Sequence, residues 1–251
     1  MFFEEHAKLL SDFARVSQAA GARADYVQGG GGNTSVKLPG GLMAIKASGF
    51  CLSDIRSDKA YAVLDGADLR NFYLTTEPSA LADVEKEGSA RAKADIRHID
   101  GLADLRPSVE AGFHSILKTF VVHTHSVYAN LAACSTACRP IAAQAFAGAG
   151  YTWGWVPYTD PGANLTFAIR DELRRVEKET GKIPSVILMQ NHGIIVHDDD
   201  PDTALAIHTD ANERLARMFG LSGTSFPKIA VREMAAGIYL SLIHISEPTR
   251  P

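Results

Sequence analysis

The sequence predicts a single α/β domain, and three observations carry that prediction. Apolar residues recur at helical spacing near the N-terminus, two strand-like runs are hinged on Pro39-Gly40-Gly41, and two further apolar runs are separated only by Gln190-Asn191-His192-Gly193. Helical and strand periods thus alternate along one chain, as mixed α/β architectures require.

Residues 4–20 place Ala7, Leu10, Phe13, Ala14 and Val16 on one helical face, with Gly21 expected as the C-terminal stop. The stretch QGGGGNTSVKL then carries four glycines into a strand pattern, which resumes at LMAIKAS after the turn. Residues 66–106 are polar and weakly patterned; a short helix is expected around 78–87 with a charged loop beyond, and no chemistry is assigned there. Pro107-Ser108 opens a helix whose apolar stripe is Phe113, Ile116 and Leu117. TFVVHTHS reads as a strand running into an alanine-rich helix to about Cys138, and AFAGAGYTWGWVPY as two short strands around glycines. Asn164 is expected to cap a helix ending at Gly181. SVILMQNHGIIVHD is two buried strands in tight connection, after which Asp200-Pro201 opens a helix to about Phe219, stopped by Gly220.

With 251 residues the chain can bury one sizeable core, and residues 1–239 are read as one domain. Its 46% hydrophobic and 22% charged residues exclude a disordered or fibrous class. A net charge of -4, with both signs mixed along the chain, leaves no basic face for nucleic acid. There is no run of 18 apolar residues, and MFFEEHAKLL has acids where a signal peptide needs a basic region, so a cytoplasmic location is expected and no membrane partner. Cys51, Cys134 and Cys138 form no disulfide framework; the last two, at i, i+4 spacing, are expected to be small core residues. The final LSLIHISEPTRP continues no pattern and is similar to the translation of a transposase-end sequencing adapter. Residues 240–251 are therefore expected to be a non-native tail replacing the true C-terminus, and His244 is set aside.

His123 and His125 are separated by one residue on a predicted strand, so both imidazoles share a face suited to a cation. Catalytic zinc needs a third protein ligand and an open position. By itself the pair is equally consistent with one histidine facing a polar cavity and the other placed by chance. His192 strengthens the case because it interrupts two apolar runs with a polar side chain and a glycine. His6, His98, His197 and His208 are given structural readings: first helix, loop, strand end and helix surface. Glu110, about one turn into its predicted helix, gains from the helix dipole or, in a sharper reading, acts as a base that deprotonates carbon next to a carbonyl while a metal holds the enediolate. His114, four residues on, is expected to support that site rather than ligate. Gly29 to Gly32 with Asn33 and Ser35 offer donors for an anion but lack the P-loop lysine and the dinucleotide spacing. Lys46, Ser48 and Gly49 add a cation and a hydroxyl to that loop.

Taken in order, GGNTS, KASGF, PSVE, HTHS and QNHG resemble the class II aldolase and adducin-like family over residues 5 to 225. The pattern is similar to fuculose- and rhamnulose-phosphate aldolases, and most similar to the aldolase portion of fusions with a short-chain dehydrogenase. The resemblance implies a three-layer α/β/α fold around a central, largely antiparallel sheet, and a homotetramer with the active site at a subunit interface. It places one Zn²⁺ per subunit on His123, His125 and His192, and the catalytic acid/base on Glu110. It places phosphate binding on Gly32, Asn33, Ser48, Gly49 and Ser108, with Lys46 added by the residue reading. The implied activity is zinc-dependent retro-aldol cleavage of a small ketose 1-phosphate. Alternatives within the family are a sugar-acid phosphate decarboxylase, a 4-epimerase, which carries aspartate where Glu110 stands, and a thioribulose-phosphate dehydratase; outside enzymology, an adducin-like assembly module. Two departures bear on phosphate: Val109 replaces a second serine, and the C-terminal segment that supplies a lid tyrosine is absent.

Overall fold

The computed structural model describes residues 1–221, 231–236 and 238–241. Two units are distinguished, Met1–Gly220 and Leu221–Pro251. The first contains helices α1 (Phe2–Glu5), α2 (Ala7–Gly21), α3 (Gly66–Thr75), α4 (Val84–Ala94), α5 (Ala111–Ile116), α6 (Val127–Ala133), α7 (Cys138–Ala145), α8 (Ala163–Thr180) and α9 (Pro201–Met218). Its strands are β1 (Asn33–Lys37), β2 (Leu42–Lys46), β3 (Tyr61–Asp65), β4 (Ile96–Arg97), β5 (Phe120–Thr124), β6 (Trp153–Val156), β7 (Val186–Met189) and β8 (Gly193–Asp198). In the second unit, β9 (Val231–Ala235) and β10 (Ile238–Ser241) pair as a two-stranded antiparallel sheet, and the predicted tail beyond residue 241, His244 included, lies outside the described residues.

The eight strands form one sheet in the order β4-β3-β2-β1-β5-β8-β7-β6. Every pairing is antiparallel except β6 with β7. Strand period two sorts the chain into three layers. Val36, Ala44, Phe120, Val122, Ile194 and Val196 face one core with α2, α6, α7 and α9. Met43, Ile45, Val121, Ile187 and Ile195 face the other, with α3, α5 and α8. The expected three-layer α/β/α fold with a largely antiparallel sheet is therefore what the chain adopts.

Several boundaries differ from the sequence reading, each for a physical reason. Gly21 is the last residue of α2 rather than the stop beyond it, and a Cβ there would lie 2.7 Å from Leu52 Cβ, so packing accounts for the glycine. The weakly patterned region holds α3, α4 and β4, whose polar faces hide the helical period. The alanine-rich stretch breaks into α6 and α7, which leaves Cys138 buried but Cys134 exposed. The glycine-rich AFAGAG segment contributes no strand, so only β6 forms there. Asn164 is not the cap of α8: the Glu85 carboxylate of α4 accepts from Ala163 N–H at 2.9 Å and Asn164 N–H at 2.7 Å. Gly162, at φ 148, leaves room for that carboxylate over the helix N-terminus.

Glu85 thus satisfies orphan donors of α8 and complements its dipole from another element. Glu85→Ala is expected to destabilise the protein by about 1–2 kcal/mol, the range of a lost cap. Urea unfolding monitored by circular dichroism measures it, and an unchanged midpoint would contradict the capping role.

Candidate metal centre

The site forms where β1 and β8 both meet the end of β5. His123 is the fourth residue of β5 and faces the α5 layer; His125 follows the strand just past its last residue. His192 enters from the β7–β8 turn, which Asn191 reverses with a left-handed backbone at φ 54, a conformation asparagine tolerates. The three ring nitrogens lie within 4.8 Å of one another, and His123 Nε2 and His125 Nε2 are 3.2 Å apart. The sequence prediction that these three histidines converge holds geometrically.

Backbone approach explains why glycines flank this strand end. Gly32, with φ 69, packs so closely on β5 that a Cβ would lie 2.7 Å from the His123 carbonyl oxygen. On the other side, a Cβ on Gly193 would collide with the Thr124 carbonyl oxygen. A Cβ on Gly31 would stand 3.0 Å from His125 Nδ1. Part of the GGGG signal is therefore packing against the histidine strand, a use distinct from anion binding.

Glu110 is the N-cap of α5 rather than a residue one turn inside it, and it is buried. Its Oε2 accepts from Asn33 Nδ2 at 2.5 Å and stands 3.5 Å from His123 Nε2; its Oε1 lies 3.1 Å from His192 Nε2 but has no well-formed hydrogen bond. Burial pushes this carboxyl up, but the imidazoles of His123 and His192 and the Asn33 amide outweigh it, so its pKa ends below the ordinary value. The group is a carboxylate at neutral pH.

A divalent metal fits these residues on three counts. His123 is held down to about 3, chiefly by burial, and so is a neutral imidazole; its Nδ1–H donates to the Ile194 carbonyl at 3.0 Å, which leaves the Nε2 lone pair facing the other ligands. Burial likewise lowers His125. The 3.2 Å between the two Nε2 atoms matches the roughly 3.3 Å that imidazoles at tetrahedral Zn–N distances of about 2.0–2.1 Å would keep. Finally, the unsatisfied Glu110 Oε1 in the same cluster calls for a positive partner.

The predicted anion residues assemble unevenly. Asn33 Nδ2 donates to Ser108 Oγ at 3.0 Å, so these two and Glu110 form one group. Ser48 Oγ donates to the Pro107 carbonyl at 3.1 Å, on the same loop, and Gly49 turns with φ 90. Lys46 is buried, its ammonium donating to the Phe50 carbonyl at 2.7 Å and lying 3.4 Å from the Gly30 carbonyl. Val109 is exposed and adds no donor.

Two supporting histidines complete the cluster, the first as the sequence reading expects and the second not. His114 is fully buried, with Nδ1 2.8 Å from Ser35 Oγ and Nε2 against Asn33 Oδ1, so it orients the amide that holds Glu110. The i, i+4 spacing from Glu110 was its signal. His208, expected on a helix surface, is buried, and its Nε2 is 2.7 Å from the hydroxyl of Thr124, the residue between the two strand histidines. Its packing against β5 comes from 84 residues away, which no local pattern encodes.

The family model described as Class II Aldolase and Adducin N-terminal domain matches residues 11–219. Among solved structures, the N-terminal class II aldolase domain of a conserved protein from Thermoplasma acidophilum aligns with TM-score 0.67 at 21% identity, covering 83% of this chain and 92% of that one. YgbL from Klebsiella pneumoniae, a putative aldolase/epimerase/decarboxylase, aligns with TM-score 0.59 at 18% identity, covering 90% and 95%. L-fuculose 1-phosphate aldolase from Glaciozyma antarctica aligns with TM-score 0.53 at 15% identity, covering 89% and 77%. No curated protein matches the sequence.

His208 is held at about 3, by burial first and then by Arg23, against an ordinary 6.5. The unfolded chain takes up this proton below about pH 6.5 and the folded chain does not, so stability falls as pH drops toward 3, by up to about 1.4 kcal/mol per pH unit. In chelator-treated protein, His208→Gln is expected to lose that share of the slope between about pH 6 and pH 4 in urea titrations. A slope equal to that of the parent would show that His208 is accessible to protons in the folded state.

Proposed function

The chain belongs to the class II aldolase and adducin N-terminal domain family, and on that premise we propose a zinc-dependent lyase that cleaves a small ketose 1-phosphate by retro-aldol chemistry. The observation that carries this reading is the convergence of three neutral-capable imidazoles on a point beside an ionised, buried carboxylate. A structural or assembly module has no need to hold that carboxylate out of water. Zinc held by His123, His125 and His192 would supply a Lewis acid that polarises the substrate carbonyl, an effect commonly worth several kcal/mol.

The remaining steps belong to the chain's own side chains. Glu110 stands at the cluster with one oxygen fixed by Asn33 and the other without a well-formed hydrogen bond. In the cleavage direction it delivers a proton to the substrate carbon that has lost its aldehyde partner; in synthesis it removes that proton. Asn33, Ser108, Ser48 and the backbone at Gly32 and Gly49 line the adjoining loop and receive the phosphate, with Lys46 contributing positive potential. His114 fixes the Asn33 amide and hence the Glu110 carboxylate. The names of two neighbours, L-fuculose 1-phosphate aldolase and a putative aldolase/epimerase/decarboxylase, agree with this chemistry and with a retro-aldol variant of it.

The reading includes a cytoplasmic homotetramer. An open groove beside His125, lined by Gln28, Asn130, Leu131 and Cys134, leaves Leu131 exposed where a second subunit would close the aldehyde end.

Glu110→Gln is expected to keep zinc at one equivalent per chain while abolishing exchange of the carbon-bound proton of dihydroxyacetone phosphate in deuterated water. His192→Ala is expected to lose both zinc and turnover on a panel of ketose 1-phosphates. Proton exchange at the parent rate in the glutamine variant would remove Glu110 from its role.

A further inference from the structure

A cavity of about 590 Å³ opens at the pole of the sheet opposite the histidines. Strand β1 connects the two ends: Asn33 pairs with His123 at the metal end, while Lys37 lines the cavity, about 13 Å away at the usual rise of about 3.3 Å per residue. Five cations line the cavity, Lys37, Arg70, Lys118, Arg170 and Arg174, against two carboxylates, Glu177 and Asp199. Apolar side chains such as Leu38, Ile116 and Leu173 make up much of the remaining wall.

The cations are not all neutralised. Lys118 pairs with Asp198 at 2.9 Å, and Arg170 with Asp171 at 2.8 Å. Asp199 is engaged by the Thr119 N–H and hydroxyl. Lys37 donates to the His114 carbonyl and Arg70 to the Ser115 carbonyl at 3.2 Å, and among the described residues neither forms an ion pair. Capping the C-terminal carbonyls of α5 explains one hydrogen bond from each, out of three available on an ammonium and five on a guanidinium. His197 adds an independent sign. It lines the same cavity, is buried and accepts from Lys118 N–H through Nδ1, while its Nε2 makes no well-formed hydrogen bond and has the Pro184 carbonyl as its neighbour. After burial, Lys37 and Lys118 are what lower its pKa; burial and then Arg70 in turn push the Lys37 ammonium well below its ordinary value, a penalty that a bound anion would relieve.

We propose that this cavity is a second binding site, separate from the histidine cluster, for a small organic molecule that joins a phosphate or carboxylate to an apolar body. The anion meets Lys37 and Arg70, and the body lies against Leu38, Ile116 and Leu173. Occupancy draws on the two cations that cap α5, the helix whose N-cap is Glu110.

Calorimetric titration of the zinc-loaded full chain with phenyl phosphate, benzoate and phenol tests the site through binding alone, independently of any turnover. Phenyl phosphate or benzoate is expected to bind and phenol not to; which anion binds more tightly separates phosphate from carboxylate ligands. Arg70→Met is expected to weaken binding about tenfold or more, as loss of a charged hydrogen bond does, while Ser108→Ala leaves it unchanged. Loss of binding in Ser108→Ala with retention in Arg70→Met would assign the probe to the metal end and overturn the proposal, as would absence of binding by either anion. If Arg70→Met does not fold, Lys37→Met, at the partly exposed end of β1, decides by the same comparison.

Discussion

The site depends on keeping one carboxylate, that of Glu110, ionised and out of water. Burial alone would protonate it, and what opposes that comes from three separate segments: Asn33 of β1 as a donor, and His123 of β5 and His192 of the β7–β8 turn when a proton or a cation sits on them. Each of these reaches the carboxylate only because the backbones run close together. Glycines at 32 and 193 are what allow β1 and β8 to close on the end of β5. A central antiparallel sheet is suited to this, since adjacent strands present side chains on one face at fixed register. Asn33 and His123 are direct cross-strand partners.

How much of this was legible in sequence follows from the range of the interactions involved. The period-two runs of β1, β2, β5, β7 and β8 and the punctuated ends of α9 are local signals, and they gave the strands and the position of the histidine pair, while the layers came from the family resemblance. The family resemblance then supplied the third ligand and Glu110. The short helix expected around 78–87 falls at α4, Val84–Ala94, but is displaced because that helix is almost entirely polar and its stabilisation comes from a contact with α8 rather than from its own apolar stripe. His208 was misplaced on a surface because its burial against Thr124 joins residues 84 apart. The cap of α8 was assigned to the nearest asparagine, when the carboxylate that fills it comes from residue 85.

The glycine-rich loop shows how one sequence feature can serve two demands. Read alone, it suggested a loop entering a hairpin, and Lys46 and Ser48 added the case for an anion; Asn33 with Ser108 does form a donor group beside Glu110. Yet Gly31 and Gly32 are also required by their closeness to His125 and His123. Composition cannot separate these uses, whereas the built Cβ positions can.

The two ends of α5 make a further asymmetry. Its N-terminal end carries a carboxylate that the histidines and Asn33 hold; its C-terminal carbonyls are met by Lys37 and Arg70. Both arrangements follow the helix dipole, negative charge at the start and positive charge at the end. They are joined by His114, which sits on that helix, gives its carbonyl to Lys37 and its imidazole to Asn33. A helix of six residues is too short to be stable alone, so its position is set by what grips it at each end. Any change in how Lys37 and Arg70 hold the C-terminal end therefore acts on an element whose other end is the Glu110 carboxylate.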